Sequence, residues 1–285
     1  MRPIQSIISI AGFDPSGGAG VLADIKTFEQ IGVYGCGIAT GITYQNDVKF
    51  YGGHWLGFNE ISAQFKPLQE RFQFDYAKIG MVDSADVLNR TIKMLLKHNP
   101  DIKIIWDPVM QTSSGVLIHE NDFVEEISET INNLYLITPN FEEAKQLGLI
   151  ALKDDRTFDF SLASLRLCVS PFSRKDAKTQ SLQNEGPVSP PNILVTGAQT
   201  EESLITDVLY SDDRVIRFDA EKIENAEKHG SGCVLSAAIT AFLSLGVGLE
   251  ESCGKAKEYT LHFLLSTPGL LGFHHSIYTN EPNAS

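Results

Sequence analysis

Short apolar runs of strand length alternate along the chain with longer stretches in which apolar residues recur three and four apart. Residues 6–11 (Ser-Ile-Ile-Ser-Ile-Ala) are a β-prone run, followed by a glycine-rich turn from Gly12 to Gly20. Val21, Leu22, Ile25, Phe28 and Ile31 then fall at helical spacing, so the segment reads strand, loop, helix. Val33 to Thr43 contains the next strand, and Tyr76 to Met81 another. Ser84 is placed to N-cap a helix carrying Val87, Leu88, Ile92, Leu95 and Leu96, which Pro100 stops. Ile102 to Trp106 is a buried strand ending at Asp107-Pro108. Leu134 to Ile137 ends at Thr138-Pro139-Asn140 with a helix behind it, and Ile193 to Thr196 is a further strand. Residues 203–210 and 214–218 pair around the turn Ser211-Asp212-Asp213. Gly230-Ser231-Gly232-Cys233 opens a helix with Val234, Leu235, Ala238, Ile239 and Phe242 on one side, and a last helix covers about 250–266.

Strand–helix alternation of this kind predicts an α/β fold: a mostly parallel central sheet with helices on both faces, three layers in all. Ligands of such sheets sit outside the carboxyl ends of the strands. Asp14, Asp107, Asn140 and the glycine turn at 230–232 all fall at strand ends or helix starts, so one site can collect them. Residues 151–191, rich in Ser, Lys, Asp, Gln and Pro, read as an exposed, flexible insertion in a single domain spanning 1–285, and the tail 280–285 as disordered. There is no internal repeat.

Composition narrows the picture. With 285 residues and 42% hydrophobic content the chain has enough apolar material for one large domain. No apolar run of about 18 residues predicts a membrane span. The N-terminus lacks the pattern of a secretory signal, so a cytoplasmic protein is expected. A formal charge of −13 argues against non-specific nucleic-acid binding. It is compatible with a nucleotide, whose phosphates backbone N–H groups and a metal can hold. Cys36, Cys168, Cys233 and Cys253 show no CxxC spacing and read as reduced thiols, with Cys233 set apart by its position.

Two glycines at a helix mouth let the backbone approach an anion, and the helix dipole adds about half a positive charge there. Cys233 falls in the first turn of that helix, where the dipole favours the thiolate and lowers a thiol pKa. A glycine-rich helix start with a buried structural cysteine fits the same residues. The 12–20 turn lacks GxGxxG, and Asp14 within it would repel a pyrophosphate. A neutral polar substrate suits Asp14 better, although a turn-capping carboxylate has the same signature. Asp24 reads either as part of that polar wall or as a solvated helix residue. Asp107 ends a buried strand; Asn140 and Glu143 share one face of a helix start. Oxygen ligands of this kind suit Mg²⁺, while N-capping by Asn140 beside a solvated Glu143 is the plainer alternative. His229, His119 and the adjacent His274-His275 form no metal-ligand spacing and read as non-catalytic. Lys49, Lys78 and Lys103 carry no phosphate-loop signature.

Taken together the segments are more specific than any one alone. Ala11 to Gly20 with Ala23-Asp24-Ile25-Lys26-Thr27-Phe28, Gln45-Asn46, Lys78-Ile79-Gly80-Met81, Asp107-Pro108-Val109-Met110, Thr138-Pro139-Asn140 with Glu143-Ala144, and His229-Gly230-Ser231-Gly232-Cys233 resemble, in order and spacing, the hydroxymethylpyrimidine/phosphomethylpyrimidine kinases of the ribokinase-like superfamily. The resemblance covers residues 5–148 and 192–265. It implies ATP-dependent phosphorylation of hydroxymethylpyrimidine or its monophosphate, with Mg²⁺, in thiamine synthesis. Gln45 would hydrogen-bond the ring, with the Thr43 backbone and Met81 beside it, and Gly12, Asp14 and Asp24 would form a polar wall. Asn140 and Glu143 would support Mg²⁺ and the ATP phosphates, and Asp107 would lie near the phosphates as a second metal-binding carboxylate. Gly230, Ser231 and Gly232 would form an anion hole, and Cys233 would be the catalytic cysteine. A homodimer is implied as well. The chain departs from the family pattern at Thr196, where a nucleotide-contacting Lys is usual, at Glu227-Lys228 in place of Asn-Thr, and at Ser231 in place of Thr. Two other readings fit the pattern: a pyridoxal kinase of the same fold, and a pyrimidine-binding sensor without turnover.

Overall fold

The computed structural model describes residues 5–110, 123–127, 130–149, 151–152, 158–159, 190–200, 203–211, 214–223 and 227–277. Most of the segment expected to be an insertion, and all of the tail expected to be disordered, lie outside them. In chain order the elements are β1 (Ser6–Phe13), α1 (Gly20–Ile31), β2 (Tyr34–Gln45), β3 (Phe50–Trp55) and α2 (Phe58–Gln69). β4 (Tyr76–Ile79), α3 (Ala85–His98), β5 (Lys103–Trp106), one-turn α4 (Phe123–Glu126), β6 (Leu136–Ile137) and α5 (Phe141–Gln146) follow. The short pair β7 (Ala151–Leu152) and β8 (Phe158–Asp159) comes next, then β9 (Asn192–Thr200), β10 (Leu204–Ser211), β11 (Arg214–Glu221), α6 (Ser231–Ser244) and α7 (Leu249–Leu265).

Nine strands form one sheet in the order β11-β10-β9-β6-β5-β4-β1-β2-β3. The six from β9 to β2 run parallel, and β10, β11 and β3 are antiparallel additions at the two edges. The β10–β11 hairpin is the one anticipated from the turn at 211–213, and β11 runs on to Glu221. β3 carries no apolar run and was not legible; it pairs with β2 on one side only and is largely exposed. Helix α2 was missed because only Ile61 and Phe65 are buried along it and Pro67 interrupts its pattern.

The two-residue period of the strands sorts side chains between the layers. Ile8, Ile10, Ala77, Ile79, Ile104 and Trp106 join the core under α2 and α3. Ile7, Ile105, Leu136 and Leu194 join the other core, with Phe28 of α1, the buried length of α6, and Phe263 of α7. Each fully buried side chain of this size contributes roughly 1.5–3 kcal/mol. The same alternation turns Ser9 of β1 and Lys78 of β4 toward the α1/α6 layer. Both are fully buried there, and Asp24 of α1 meets them. Ser84 N-caps α3 by accepting the Val87 N–H, as its position predicted.

Candidate active site

A cavity of about 430 Å³ opens outside the carboxyl ends of β1, β2, β4, β5 and β6. Gly12, Asp14, Thr43, Gln45 and Met81 line it, as do Asp107, Asn140, Glu143, Thr196 and the Gly230–Cys233 helix mouth. Every residue singled out from the sequence is therefore on one cavity, with the exception of Asp24. A second cavity of about 540 Å³ shares Asn140, Thr196, Ser231, Gly232 and Leu235 with the first, so the two are lobes of one groove. Its far wall is apolar, with Ile205, Ile223, Leu261 and Leu264. Lys257 is held there by Asp207 at 2.7 Å, and Asp207 also accepts the Gly197 N–H.

The glycine turn after β1 is organised by Asp14. Its carboxylate accepts the Ser16 and Ala19 N–H groups, both at 2.9 Å, and the Ser16 hydroxyl at 2.8 Å. His229 Nε2 lies 2.9 Å from Asp14 Oδ2. Burial alone would raise the Asp14 pKa; the bonds from His229 and Ser16 override it and hold the carboxyl below its usual value. Asp14 is thus a turn-capping carboxylate that also lines the cavity. His229, read from the sequence as a bystander, lines the cavity and touches Asp14. Only the meeting of the β1 turn with the start of α6 reveals that contact. Gly12 leaves room for Met81, whose Cε would stand 2.5 Å from an added Cβ. Thr43 donates its hydroxyl to the Phe13 carbonyl at 3.0 Å, and Gln45 ends β2.

Gly230 N-caps α6 in the left-handed region, φ 79°, against the Gly18 carbonyl and Ala19 Cα, so the helix mouth and the β1 turn are in backbone contact. An added Cβ would be strained twice, by φ and by that collision. Gly230→Ala is expected to destabilise the fold by roughly 1–3 kcal/mol in a urea titration, and to weaken anion binding measured on the same sample. Loss of stability with unchanged anion affinity would show that the contact does not shape the helix mouth.

Asp24 corrects the expected polar wall. It is fully buried and does not reach the cavity. Its carboxylate takes the Lys78 ammonium at 2.6 Å and the Ser9 hydroxyl at 2.5 Å. Lys78 also lies 3.5 Å from Asp107, on the cavity floor. Burial opposes both charges. The neighbouring carboxylates win at Lys78 and raise its pKa, keeping it cationic. Lys78 was missed because a lysine in a strand signals nothing until the strand order sets it beside two carboxylates. Asp107 also accepts Ser236 Oγ at 2.9 Å and Thr138 Oγ1 at 3.4 Å.

Asn140 and Glu143 form a reciprocal capping box at the start of α5. Asn140 Oδ1 accepts the Glu143 N–H at 2.9 Å, and Glu143 Oε2 accepts the Asn140 N–H at 2.8 Å. Glu143 is not the solvated residue of the plainer reading. Burial first, and then the charge of Asp107, push its pKa up to about 7, against the N–H bonds from Asn140 and Met110. Glu143 and Asp107 place hard carboxylate oxygens on one cavity wall, a donor type that fits a divalent cation.

Cys233 lies in the first turn of α6, as predicted, but its acidity is not what the helix dipole alone suggests. Burial pushes the thiol up to about 12; Lys78 and the Gly20 N–H pull it down, while Asp107 and Asp24 push it further up. Cys233 is half-buried at the cavity wall with Asp107 and Asp24 near it, and burial together with those carboxylates outweighs the dipole.

Known proteins with similar sequences and structures give the family of the chain. The family model described as phosphomethylpyrimidine kinase matches residues 14–276. The chain belongs to the phosphomethylpyrimidine kinase family. The hydroxymethylpyrimidine/phosphomethylpyrimidine kinase of Rhizobium meliloti (strain 1021) is 33% identical over 260 residues, 91% of this chain and 90% of that protein. Among solved structures, the phosphomethylpyrimidine kinase of Clostridium difficile 630 superposes with a TM-score of 0.68 at 27% identity, covering 90% of this chain and 98% of its own. The Staphylococcus aureus pyridoxal kinase bound to ADP shares the fold, with a TM-score of 0.73 at 21% identity over 92% of this chain and 89% of its own. The architecture is ribokinase-like, and the family is one of phosphotransferases.

Proposed function

We propose that this protein transfers the γ-phosphoryl group of ATP to 4-amino-5-hydroxymethyl-2-methylpyrimidine, to its monophosphate, or to both in turn, as a step of thiamine synthesis. The observation that carries the reading is the single groove. It joins a lobe at Asp14, Gln45 and Met81 to a second lobe with an apolar far wall, with the Gly-Ser-Gly helix mouth and Cys233 lining the first. The pyrimidine fits the first lobe, where Gln45 offers its ring a donor and an acceptor beside Gly12, Thr43 and Met81. The nucleotide fits the second, with its base against Ile223, Leu261 and Leu264 and its phosphates toward Asn140, Thr196 and Gly232. Lys257 stands in that lobe as a cation where Thr196 cannot supply one.

In the transfer, the substrate oxygen bonds to the γ-phosphorus, the bond from that phosphorus to the β,γ-bridging oxygen breaks, and ADP leaves with the electron pair. The thiolate form of Cys233, stabilised by Lys78 and the Gly20 N–H, accepts the substrate hydroxyl proton. The helix mouth at Gly230–Gly232 holds the charge that gathers on the transferring group, and most of the acceleration is positioning and electrostatics. Asp107 and Glu143 would hold Mg²⁺, which neutralises phosphate charge when bound. Asp24 acts beneath the site through Lys78 and does not touch substrate.

The exposed Ile42, Tyr44, Val48 and Tyr51 of the β2–β3 edge support a homodimer through that edge. Among the described residues no helix is long and apolar enough to cross a membrane, and Cys36, Cys233 and Cys253 are free thiols, which supports a cytoplasmic setting. The test is ADP release by the purified protein with Mg²⁺ and ATP on hydroxymethylpyrimidine, its monophosphate and pyridoxal. Turnover on the pyrimidines is expected. Turnover on pyridoxal alone would transfer the reading to that vitamer, and pyrimidine binding without turnover would make the protein a sensor.

A further inference from the structure

The chain does not stop being organised at the end of α7. Residues 266–277 run back across the molecule as a strap. Ser266 Oγ accepts the Phe273 N–H at 2.8 Å, and Thr267 Oγ1 donates to the Leu271 carbonyl at 2.5 Å, closing the first part into a tight loop. Further on, the His274 ring packs 5.0 Å from that of Phe263, and its Nδ1 lies 3.2 Å from Thr27 Oγ1 on α1. The Ile277 N–H then donates to the Gln30 carbonyl at 3.2 Å. The strap is therefore fastened to α7 at one end and to α1 at the other.

Its middle bears on the two loops of the site. The His229 N–H donates to the Leu270 carbonyl at 2.9 Å. Leu271 and the His229 ring both press on Gly18, where an added Cβ would come within 2.7 and 2.8 Å of them. Lys228, immediately before His229, is only 7% exposed. Its ammonium donates to the Thr267 carbonyl at 2.5 Å and to the Gly269 carbonyl. Among the described residues no carboxylate pairs with it. A buried ammonium satisfied by two carbonyls of one loop is expensive to desolvate, and it is specific to the geometry of that loop.

We propose that Lys228 is a positioning residue: by tying the strap to the start of the helix mouth, it holds His229 and Gly230 against the Gly18–Ala19 turn, and so keeps the anion cradle and the substrate turn in register. Lys228 lines neither lobe of the groove and acts through its neighbours. The inference rests on the kinase reading for its kinetic consequences alone; the tie itself is a property of the loops.

The experiment compares wild type with Lys228→Met, which keeps the aliphatic stem and removes both donated bonds, and with Lys228→Arg, which restores donors. Expected in Lys228→Met are a fall in kcat of about tenfold, a rise of several-fold in pyrimidine KM, and substantial recovery in Lys228→Arg. Independently of turnover, amide exchange at Gly17–Ala19 and Gly230–Gly232 is expected to speed up about tenfold while the central strands keep their protection. Leu271→Ala, which loosens the strap from Gly18 without touching Lys228, is expected to move both readouts the same way and serves if Lys228→Met does not fold. Wild-type kinetics and exchange in the variants, or a uniform loss of protection throughout the sheet with unchanged kcat and KM, would overturn the proposal. A wild-type enzyme with no turnover would sink the kinase reading instead, and the exchange result would still decide whether the tie exists.

Discussion

Cys233→Ala is expected to lower kcat by about 10²–10⁴-fold, the usual worth of a positioned proton acceptor, while pyrimidine binding by calorimetry and the melting temperature stay near those of wild type. The sulfur reaches the cavity and receives the Gly20 N–H, so its loss removes the proton acceptor and little packing. The pH dependence sharpens the test. Burial pushes the thiol up to about 12 in the free enzyme. Below that value the thiolate fraction rises tenfold per pH unit, so kcat/KM of the wild type is expected to climb through pH 9 without a plateau. Cys233→Ala should lose that slope. The same shift has a consequence for stability with a definite sign. A thiol raised in the native state keeps its proton where the unfolded chain has released it, from about 9 to about 12. Stability is complete below that window and falls as pH rises through it. A wild-type plateau below pH 8, or a Cys233→Ala enzyme with wild-type kcat, would remove Cys233 from the proton transfer.

Lys78→Met is expected to destabilise the protein by about 3–5 kcal/mol, because it leaves Asp24 fully buried with only the Ser9 hydroxyl to answer its charge. Methionine fills nearly the same volume, so the loss is electrostatic and not a cavity. The double variant Lys78→Met/Asp24→Asn removes both charges together and is expected to regain most of the stability in urea unfolding at pH 7. In the single variant the deficit should shrink as pH falls, because burial favours the protonated form of Asp24. If the single variant is as stable as the wild type, or if the double is no better than the single, the Lys78–Asp24 pair is not what holds α1 to β4. The pair also bears on the site, since Lys78 lies 3.5 Å from Asp107 and favours the Cys233 thiolate. The double variant is therefore expected to regain stability without regaining activity.

Most of the groove was legible because its residues belong to local motifs. Asn140 and Glu143 are three apart at a helix start, which placed both on one face and offered Asn140 as an N-cap; that Glu143 caps in return came from the structure. Gly230 and Gly232 announce a helix mouth that a backbone can approach closely. The central strands were legible as apolar runs, whereas β3, with none of its residues fully buried, was not. Asp24 and Lys78 show the opposite limit. Both sit in motifs shared with the family, yet neither motif says that the two meet 54 residues apart beneath the cavity. His229 is a similar case: a histidine before a glycine turn is unremarkable until a turn 215 residues away presents Asp14 to it.

By itself the sequence determined the α/β alternation, the glycine helix mouth at the carboxyl end of the sheet and the family, because each depends on residue types at short, regular spacing. The tertiary structure decided the rest. It put Asp24 under the floor and not in the wall, set Lys78 between two carboxylates, joined His229 to Asp14, tied Lys228 to the strap, and raised the Cys233 thiol where the helix dipole alone would have lowered it. The physical reason is common to all five. Charge pairing and desolvation depend on which elements are neighbours and on how completely they exclude water, and packing sets both across long stretches of chain.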